Sequence, residues 1–313
     1  MKKIIVIFIS LLTIIGCAAQ ESHKETDLQK DGLKGNIKTL ESTKYIAYEN
    51  FGRILRGEII GISIFVYNEK GNFTGGKDYD ANGNLLFRAE RMYDEKENML
   101  NEVMYNSNGK VLHNVSNVYD TKGNKIEMRN YDSEGTLIIR TTYVYNKNGD
   151  KIEENRYPKY RKPYQIQYKY NNKGRQIEEV NKDKVETTND NGQIEEIEVE
   201  MKLITKYNLK GDKIEEENYF NDRLVSKKLY KYDQRGNKIE ENFVSFSYDP
   251  SQKINYLYDN QNNMTELSKF DANNNLIERI VYKNDEKGNA IEEKYYGSDN
   301  LIKMIKELKI EYY

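Results

Sequence analysis

The sequence predicts an all-β protein: a repetitive antiparallel meander of β-hairpins forming one long twisted sheet, curled into a partial barrel or spiral. Three observations predict it. Tyr67, Tyr79, Tyr93, Tyr105, Tyr119, Tyr131 and Tyr145 follow one another at intervals of 12, 14, 12, 14, 12 and 14 residues, so the unit is 26 residues with two similar halves. Each of these tyrosines opens a turn-forming stretch, such as "YDTKGN" from Tyr119 and "YNKNGD" from Tyr145. The eight to ten residues between turns, as in "TLIIRTTYVY", are rich in β-branched and aromatic side chains. Curling is expected because large open sheets twist out of plane.

Taken in chain order, the first element is a signal peptide, residues 1–16. "MKKIIVIFISLLTIIGCAAQ" has a basic start, an apolar run from Ile4 to Ile15 and a small residue before Cys17. The run is about a dozen residues, short for a membrane span. Cys17 is the only cysteine, and a lone cysteine in an exported chain otherwise leaves a reactive thiol. The polar residues 17–31 are expected to form a flexible tether. Residues 32–313 are expected to form the repeat domain.

Within each repeat, Asp or Asn bonds its own backbone two residues on and starts a turn. Gly71, Gly83, Gly109, Gly123, Gly135, Gly149, Gly174, Gly211 and Gly236 then take the positive φ that closes a three-residue hairpin loop. "KIEE" at Lys151, Lys213 and Lys238 favours helix by composition. Segments this short are marginal as helices, and the turns enforce strands. If 120 and 124 pair at the tip, simple alternation sets Val118 on one face with Ile126, Met128, Ile138, Arg140, Thr142, Val144 and Ile152. Tyr119, Glu127, Arg129, Tyr131, Leu137, Ile139, Tyr143 and Tyr145 take the other. Neither face is cleanly apolar, so the sheet should be wetted on both sides and held by cross-strand neighbours.

The turns resemble the YD repeats of the Rhs family: "YVYNKNGDKI" from Tyr143, "YKYNNKGRQI" from Tyr168, "YKYDQRGNKI" from Tyr230 and, without the glycine, "YLYDNQNNM" from Tyr256. The likeness covers about Phe65 to Tyr313. Large Rhs proteins look like hollow shells around a C-terminal toxin; this chain has fewer repeats and ends in a strand-like "LIKMIKELKIEYY". "IIGC" resembles a bacterial lipobox, which implies acylation of Cys17 and anchorage in a lipid bilayer. The opening "DLQKDGLKGNIKTLESTKY" looks like that of small repeat lipoproteins of Gram-negative bacteria, Bacteroidota among them. Ala18 departs from the inner-membrane retention signal, which implies an outer-membrane lipoprotein of the cell envelope. The YwqK-like antitoxin repeats are a more distant likeness.

Composition narrows the chemistry. The 49 basic and 51 acidic side chains are interspersed, with a formal charge of −2, so nucleic acid is not an expected partner. The two histidines, His23 in the tether and His113 in a strand, lack the company a metal site needs, so no metal or cofactor is expected. "DANGN" from Asp80 lacks the distal glutamate of a calcium loop and reads as a hairpin tip. The pairs Glu153–Glu154 and Glu215–Glu216 point to opposite faces of a strand and cannot share a substrate. No catalytic residue is assigned. Tyr119, Tyr131, Tyr143 and Tyr145 offer flat amphipathic rings to a protein or glycan partner. The leading expectation is a non-enzymatic, lipid-anchored envelope protein that binds such a partner or acts as a spacer. A toxin-associated accessory or immunity-like protein and a glycan hydrolase are the alternatives.

Overall fold

The computed structural model describes residues 25–188, 193–246 and 250–313. A four-residue helix, α1 (Asp27–Lys30), precedes twenty strands. They are β1 (Ile37–Asn50), β2 (Arg53–Tyr67), β3 (Phe73–Asp80), β4 (Leu85–Tyr93), β5 (Met99–Asn106), β6 (Val111–Tyr119), β7 (Lys125–Tyr131), β8 (Leu137–Tyr145), β9 (Lys151–Pro158) and β10 (Tyr164–Tyr170). The second half comprises β11 (Gln176–Thr188), β12 (Ile194–Tyr207), β13 (Lys213–Phe220), β14 (Arg223–Tyr232), β15 (Lys238–Ser245), β16 (Gln252–Tyr258), β17 (Met264–Asp271), β18 (Leu276–Asn284), β19 (Ala290–Tyr296) and β20 (Ile302–Tyr312).

Every strand pairs antiparallel with the next, and β20 pairs antiparallel with β1, so the sheet closes on itself. Closure is more complete than the partial curl expected from sequence. Full closure satisfies the two edge strands that an open meander would leave unpaired. A ring of this many strands at ~4.8 Å spacing, tilted by the roughly 35–45° that barrel closure requires, would have a round section about 40 Å across.

The hairpin tips are built as the turn residues dictate. Asn146 N–H donates to Asp150 O (2.9 Å) and Gly149 N–H to Asn146 O (3.1 Å), a turn closed by Gly149 at φ 88°. A Cβ on Gly149 would meet nothing within 4 Å, so Gly149→Val tests the backbone alone. We expect a loss of about 1 kcal/mol or more, with faster hydrogen exchange confined to the β8–β9 hairpin and its neighbours, because repeats touch chiefly their neighbours.

Behind most tips lies a feature that simple alternation misses. Tyr145 pairs with Lys151 but Val144 pairs with Glu153, leaving Ile152 as an extra residue. Leu86, Leu100, Leu112, Ile126, Ile138, Ile177, Ile214, Ile239, Ile277 and Ile291 are extra in the same way. These are β-bulges, each twisting its strand. The expected face assignment therefore fails beyond each tip. Val118 pairs with Glu127, and Asn117 with Met128, so Met128 shares the face of Tyr119 while Glu127 and Arg129 leave it.

A second correction concerns the tether. Residues 25–31, expected to be flexible, are built into the wall beside the β1–β20 seam. Thr26 and Gln29 cap α1 reciprocally. Asp27 accepts from Phe73 N (3.0 Å), Arg91 (3.1 Å) and Tyr93 Oη (3.1 Å). Leu28 packs with Ile37, Leu40 and Tyr67 in the largest buried apolar cluster. On the far side of the seam, Lys34 N–H donates to Asn289 Oδ1 (2.7 Å) and Lys34 Nζ to Asn263 Oδ1 (2.7 Å). Residues 26–36 thus tie β3, β4 and the β2–β3 tip to the β16–β17 and β18–β19 tips across the seam.

Candidate functional site

Following the register around the ring sorts the strands into two faces. One carries Tyr67, Asn117, Thr141, Glu154, Ile166, Tyr168, Val199, Thr205, Ile280 and Glu293, all buried. The opposite face carries charged networks: Lys206, Glu215, Glu217 and Lys227 meet at 2.6–3.3 Å. Lys231 with Glu240, and Glu127 with Arg129 and Arg140, add to it. Curvature crowds side chains on a concave face and spreads them on a convex one, so the buried face is the inner wall.

The bulges decide what lines that wall. In an unbulged strand, residues i and i+3 point to opposite faces. The extra Ile152 brings Lys151 and Glu154 onto the same face, with Lys151 Nζ 3.0 Å from Glu154. Lys213–Glu216 (2.6 Å) and Lys238–Glu241 (2.9 Å) repeat the arrangement. The helix-like spacing of "KIEE" is thus a bulged-strand signature, with glutamates 153 and 154 on opposite faces.

Tyrosines flank Lys151–Glu154 and Lys238–Glu241 on both sides, and Lys213–Glu216 on one. Lys151 Nζ lies 5.6 Å from the ring centroid of Tyr143 and 4.3 Å from that of Tyr168. Tyr168 donates to Glu154 (3.1 Å). Three strand pairs on, Lys238 lies 5.6 Å from Tyr230 and 4.8 Å from Tyr256, and Tyr230 donates to Glu216. The wall is therefore a Tyr–Lys–Glu–Tyr lattice. Burial alone would raise Glu154, but Lys151 and Arg156 outweigh it and hold the carboxyl below its usual 4.5. Glu216 is held down against burial by Lys213 and Tyr230. On the convex face, hydrogen bonds from Lys206 and Lys227 hold Glu215 at about 2.

The tyrosines chosen from sequence separate. Tyr119, Tyr143 and Tyr145 lie on the concave wall, whereas Tyr131 lies at the other end of the strands and faces outward. Tyr119 and Tyr145 also have structural duties: their hydroxyls donate to Met99 O (2.9 Å) and Lys125 O (2.7 Å), each the first strand residue after the preceding tip at the same end. Tyr93, Tyr170, Tyr232 and Tyr258 do the same. Burial pushes Tyr119, Tyr145 and Tyr170 up to about 12. The rings of the lattice belong instead to Tyr143, Tyr168, Tyr230 and Tyr256, two residues before Tyr145, Tyr170, Tyr232 and Tyr258 in the recurring "YxY"; Tyr168 is buried and the other three are half-buried. Tyr168, Tyr230 and Tyr256, with their Lys–Glu partners, were not singled out from sequence; the in-phase recurrence of "YKY" and "KIEE" was their signal.

Gly71, Gly83, Gly109, Gly123, Gly135, Gly174, Gly211 and Gly236 all have positive φ, as Gly149 does. Asp80 accepts from the backbone of Asn82 (2.9 Å) and Asn84 (2.8 Å), so "DANGN" is a hairpin tip. His113 faces Met104 across β5. Cys17 and His23 lie outside the described residues. Among the described residues, no three His, Cys, Asp or Glu side chains are grouped to hold a metal ion.

No protein-family model matches the sequence, and no curated protein matches it either. Among solved structures, the Tc holotoxin pore of Photorhabdus luminescens is 10% identical over 75% of this chain, with a TM-score of 0.29; the chain spans 15% of that toxin chain. A porin-like protein from Bacteroides uniformis is 11% identical over 88% of this chain and 98% of its own, with a TM-score of 0.36. A DUF1329 family protein from Desulfovibrio piger is 7% identical over 88% of this chain and 86% of its own, with a TM-score of 0.22. These likenesses are too distant to inform function, and the β-repeat fold rests on the strand pairing itself.

Proposed function

We propose that the chain is a non-catalytic, lipid-anchored protein of the cell envelope that holds a protein or glycan partner against its concave wall. The observation that carries this reading is the Tyr–Lys–Glu–Tyr lattice. It repeats one chemistry along the wall, as a surface for an extended partner does, rather than gathering unlike groups at one point. Glu154 and Glu216 are kept ionised by cations and so are not poised as general acids. The charged convex face argues against a barrel that crosses the bilayer, where a Lys or Arg at the midplane costs about 2–4 kcal/mol. Anchorage then falls to Cys17, on the strength of "IIGC". The YD-type motifs support a wall that encloses.

The test uses the chain purified with Cys17→Ser. Bait bearing Tyr143→Ala and Tyr168→Ala should capture less partner from envelope extract than the parent bait. Turnover of a glycan substrate panel, lost on Glu154→Gln or Glu216→Gln, would replace this reading with the hydrolase. Equal capture by both baits would remove the wall from binding and leave the spacer role. For the anchor, radiolabelled fatty acid should be lost on Cys17→Ser; retained label would contradict acylation there.

A further inference from the structure

The bulges also shape the outer surface at the end of the ring that carries residues 26–36. Two residues of a bulged strand oppose one of its partner. Behind the tips at this end, Leu100 therefore joins Met92 on the convex face, Ile126 joins Val118, and Ile152 joins Val144. All six are exposed, by 36–63%. They follow one another across β4 to β9, so at ~4.8 Å per strand the stripe is roughly 24 Å long.

The stripe is confined to one sector. In the hairpin ends closed by Tyr170, Tyr207 and Tyr232, the residue before the tip tyrosine is Lys169, Lys206 or Lys231, each opposite a glutamate. At the other end of the ring, the extra residues Leu86 and Leu112 oppose Asp78 and Met104 of the concave wall instead. A contiguous exposed apolar patch marks a contact surface.

Two observations say what covers it. Lys122, Lys147 and Lys173 stand exposed on the tips of β6–β7, β8–β9 and β10–β11, at the border of the stripe. The Asp120 carboxylate is turned into its own tip, accepting from Lys122 N (2.9 Å) and Asn124 N (2.8 Å). Glu127, behind the stripe, is engaged by Arg129 and Arg140. At the β4–β5 tip Glu95 offsets Lys96, so the cationic border runs from β6 to β11. The second observation is where the chain enters. Asp27 is held on the inner face by Arg91 and Tyr93, the residues on either side of Met92. Cys17 lies eight residues before Glu25, and eight residues span at most about 29 Å. An acyl chain on Cys17 would hold this sector within that distance of the bilayer.

We propose that the β4–β9 sector of this rim rests on the anionic bilayer surface, its aliphatic stripe at the headgroup–acyl boundary and Lys122, Lys147 and Lys173 on lipid phosphates. The tether argument rests on the reading of Cys17 as acylated. Buried apolar area and attraction to anionic lipid together bind interfacial elements. The ring tilts toward β4–β9, and the long lysine side chains reach the headgroups while the stripe is covered. A spanning barrel carries an apolar band about 25 Å tall around its whole girth. Here the stripe is one layer deep on six of twenty strands, so the contact is peripheral. It leaves the mouth at the other end of the ring facing away from the bilayer.

Vesicle flotation of the full Cys17→Ser chain tests this. The lipid is phosphatidylethanolamine with phosphatidylglycerol at roughly 1 mM, where a partition constant like a single myristoyl chain's, about 10⁴ M⁻¹, leaves most of the chain bound. The parent should float with these vesicles and far less with phosphatidylcholine alone. Val118→Thr with Val144→Thr and, separately, Lys122→Glu with Lys147→Glu should each weaken binding by about fivefold or more. Leu257→Thr, at an exposed aliphatic on the far side of the ring, should not. A polarity-sensitive fluorophore on Val118→Cys should shift to the blue on vesicles, and one on Leu257→Cys should not; circular dichroism checks each fold. No flotation, flotation indifferent to either pair of changes, or equal loss in Leu257→Thr would overturn the proposal. Self-association through the stripe in place of flotation would also overturn it and give the surface to a second copy. Because Cys17 is absent throughout, these results stand whether or not it is acylated, and their failure would leave acylation and the concave wall untouched.

Discussion

Ile37→Ala should lower stability by about 3–4 kcal/mol and loosen the ring at its seam. Ile37 is fully buried, and it sits where β1 meets Tyr312 of β20 beneath Leu28 and Tyr67. Truncating a buried isoleucine costs its transfer energy and leaves a cavity, about 2–5 kcal/mol in all. A second apolar cluster, Ala47, Ile302 and Ile305, lies toward the other end of β1 and β20, so it does not replace this one. Urea titration measures the loss. Hydrogen exchange should place the added opening in β1, β2 and β20 and leave β8–β9 protected; uniform deprotection would mean that closure is not set at this seam.

The second large effect is expected at the wall. Glu154→Ala removes the carboxylate that joins Lys151, Arg156 and Tyr168. Breaking a buried ion pair by removing one partner costs about 3–5 kcal/mol. Lys151 and Arg156 are each about a third exposed and can recover some hydration, so about 2–3 kcal/mol is the expected loss. Lys151→Met and Arg156→Met combined with Glu154→Met should be milder than the single change, because no charge is left stranded. The pH dependence follows from the carboxyl's lowered folded value. Its contribution is present above the unfolded value of 4.5 and is lost as pH falls through the folded one. Glu154→Ala should therefore flatten the decline in stability on the acid side of that value. An acid limb as steep as the parent's would remove Glu154 from this role.

How far the fold could be read in advance differs by level. The tyrosine spacing and the Asp/Asn-to-Gly turns located the strands and tips because both are local. The faces could not be read that way, because a bulge depends on pairing across two strands. Ile126 and Ile152 look like ordinary strand residues until their partners are known. The Lys–Glu–Tyr lattice stayed hidden for the same reason: it exists only once Ile152 is extra. Closure was also out of reach. β1 and β20 are separated by nearly the whole chain, and nothing local in "NIKTLESTKY" or "LIKMIKELKIEYY" shows that they pair. The docking of Asp27 and Leu28 was missed because a polar stretch ahead of a repeat domain has the composition of a linker, and its order comes from contacts with Gly71, Phe73 and Arg91.

Closure of the ring is the claim on which the concave wall, the convex stripe and the seam all depend, and one cross-link tests it. Ser42 on β1 pairs with Leu308 on β20, and Ser42 is buried. In a Cys17→Ser background, which has no other cysteine, Ser42→Cys with Leu308→Cys should form an intramolecular disulfide under mild oxidation. The product should be monomeric on a denaturing gel, with residues 42 and 308 joined in its peptide map, since paired strands bring Cα atoms within the roughly 4.4–6.8 Å a disulfide spans. Thiols that stay free, or that link only between chains, would show that β1 and β20 do not meet and that the sheet is open.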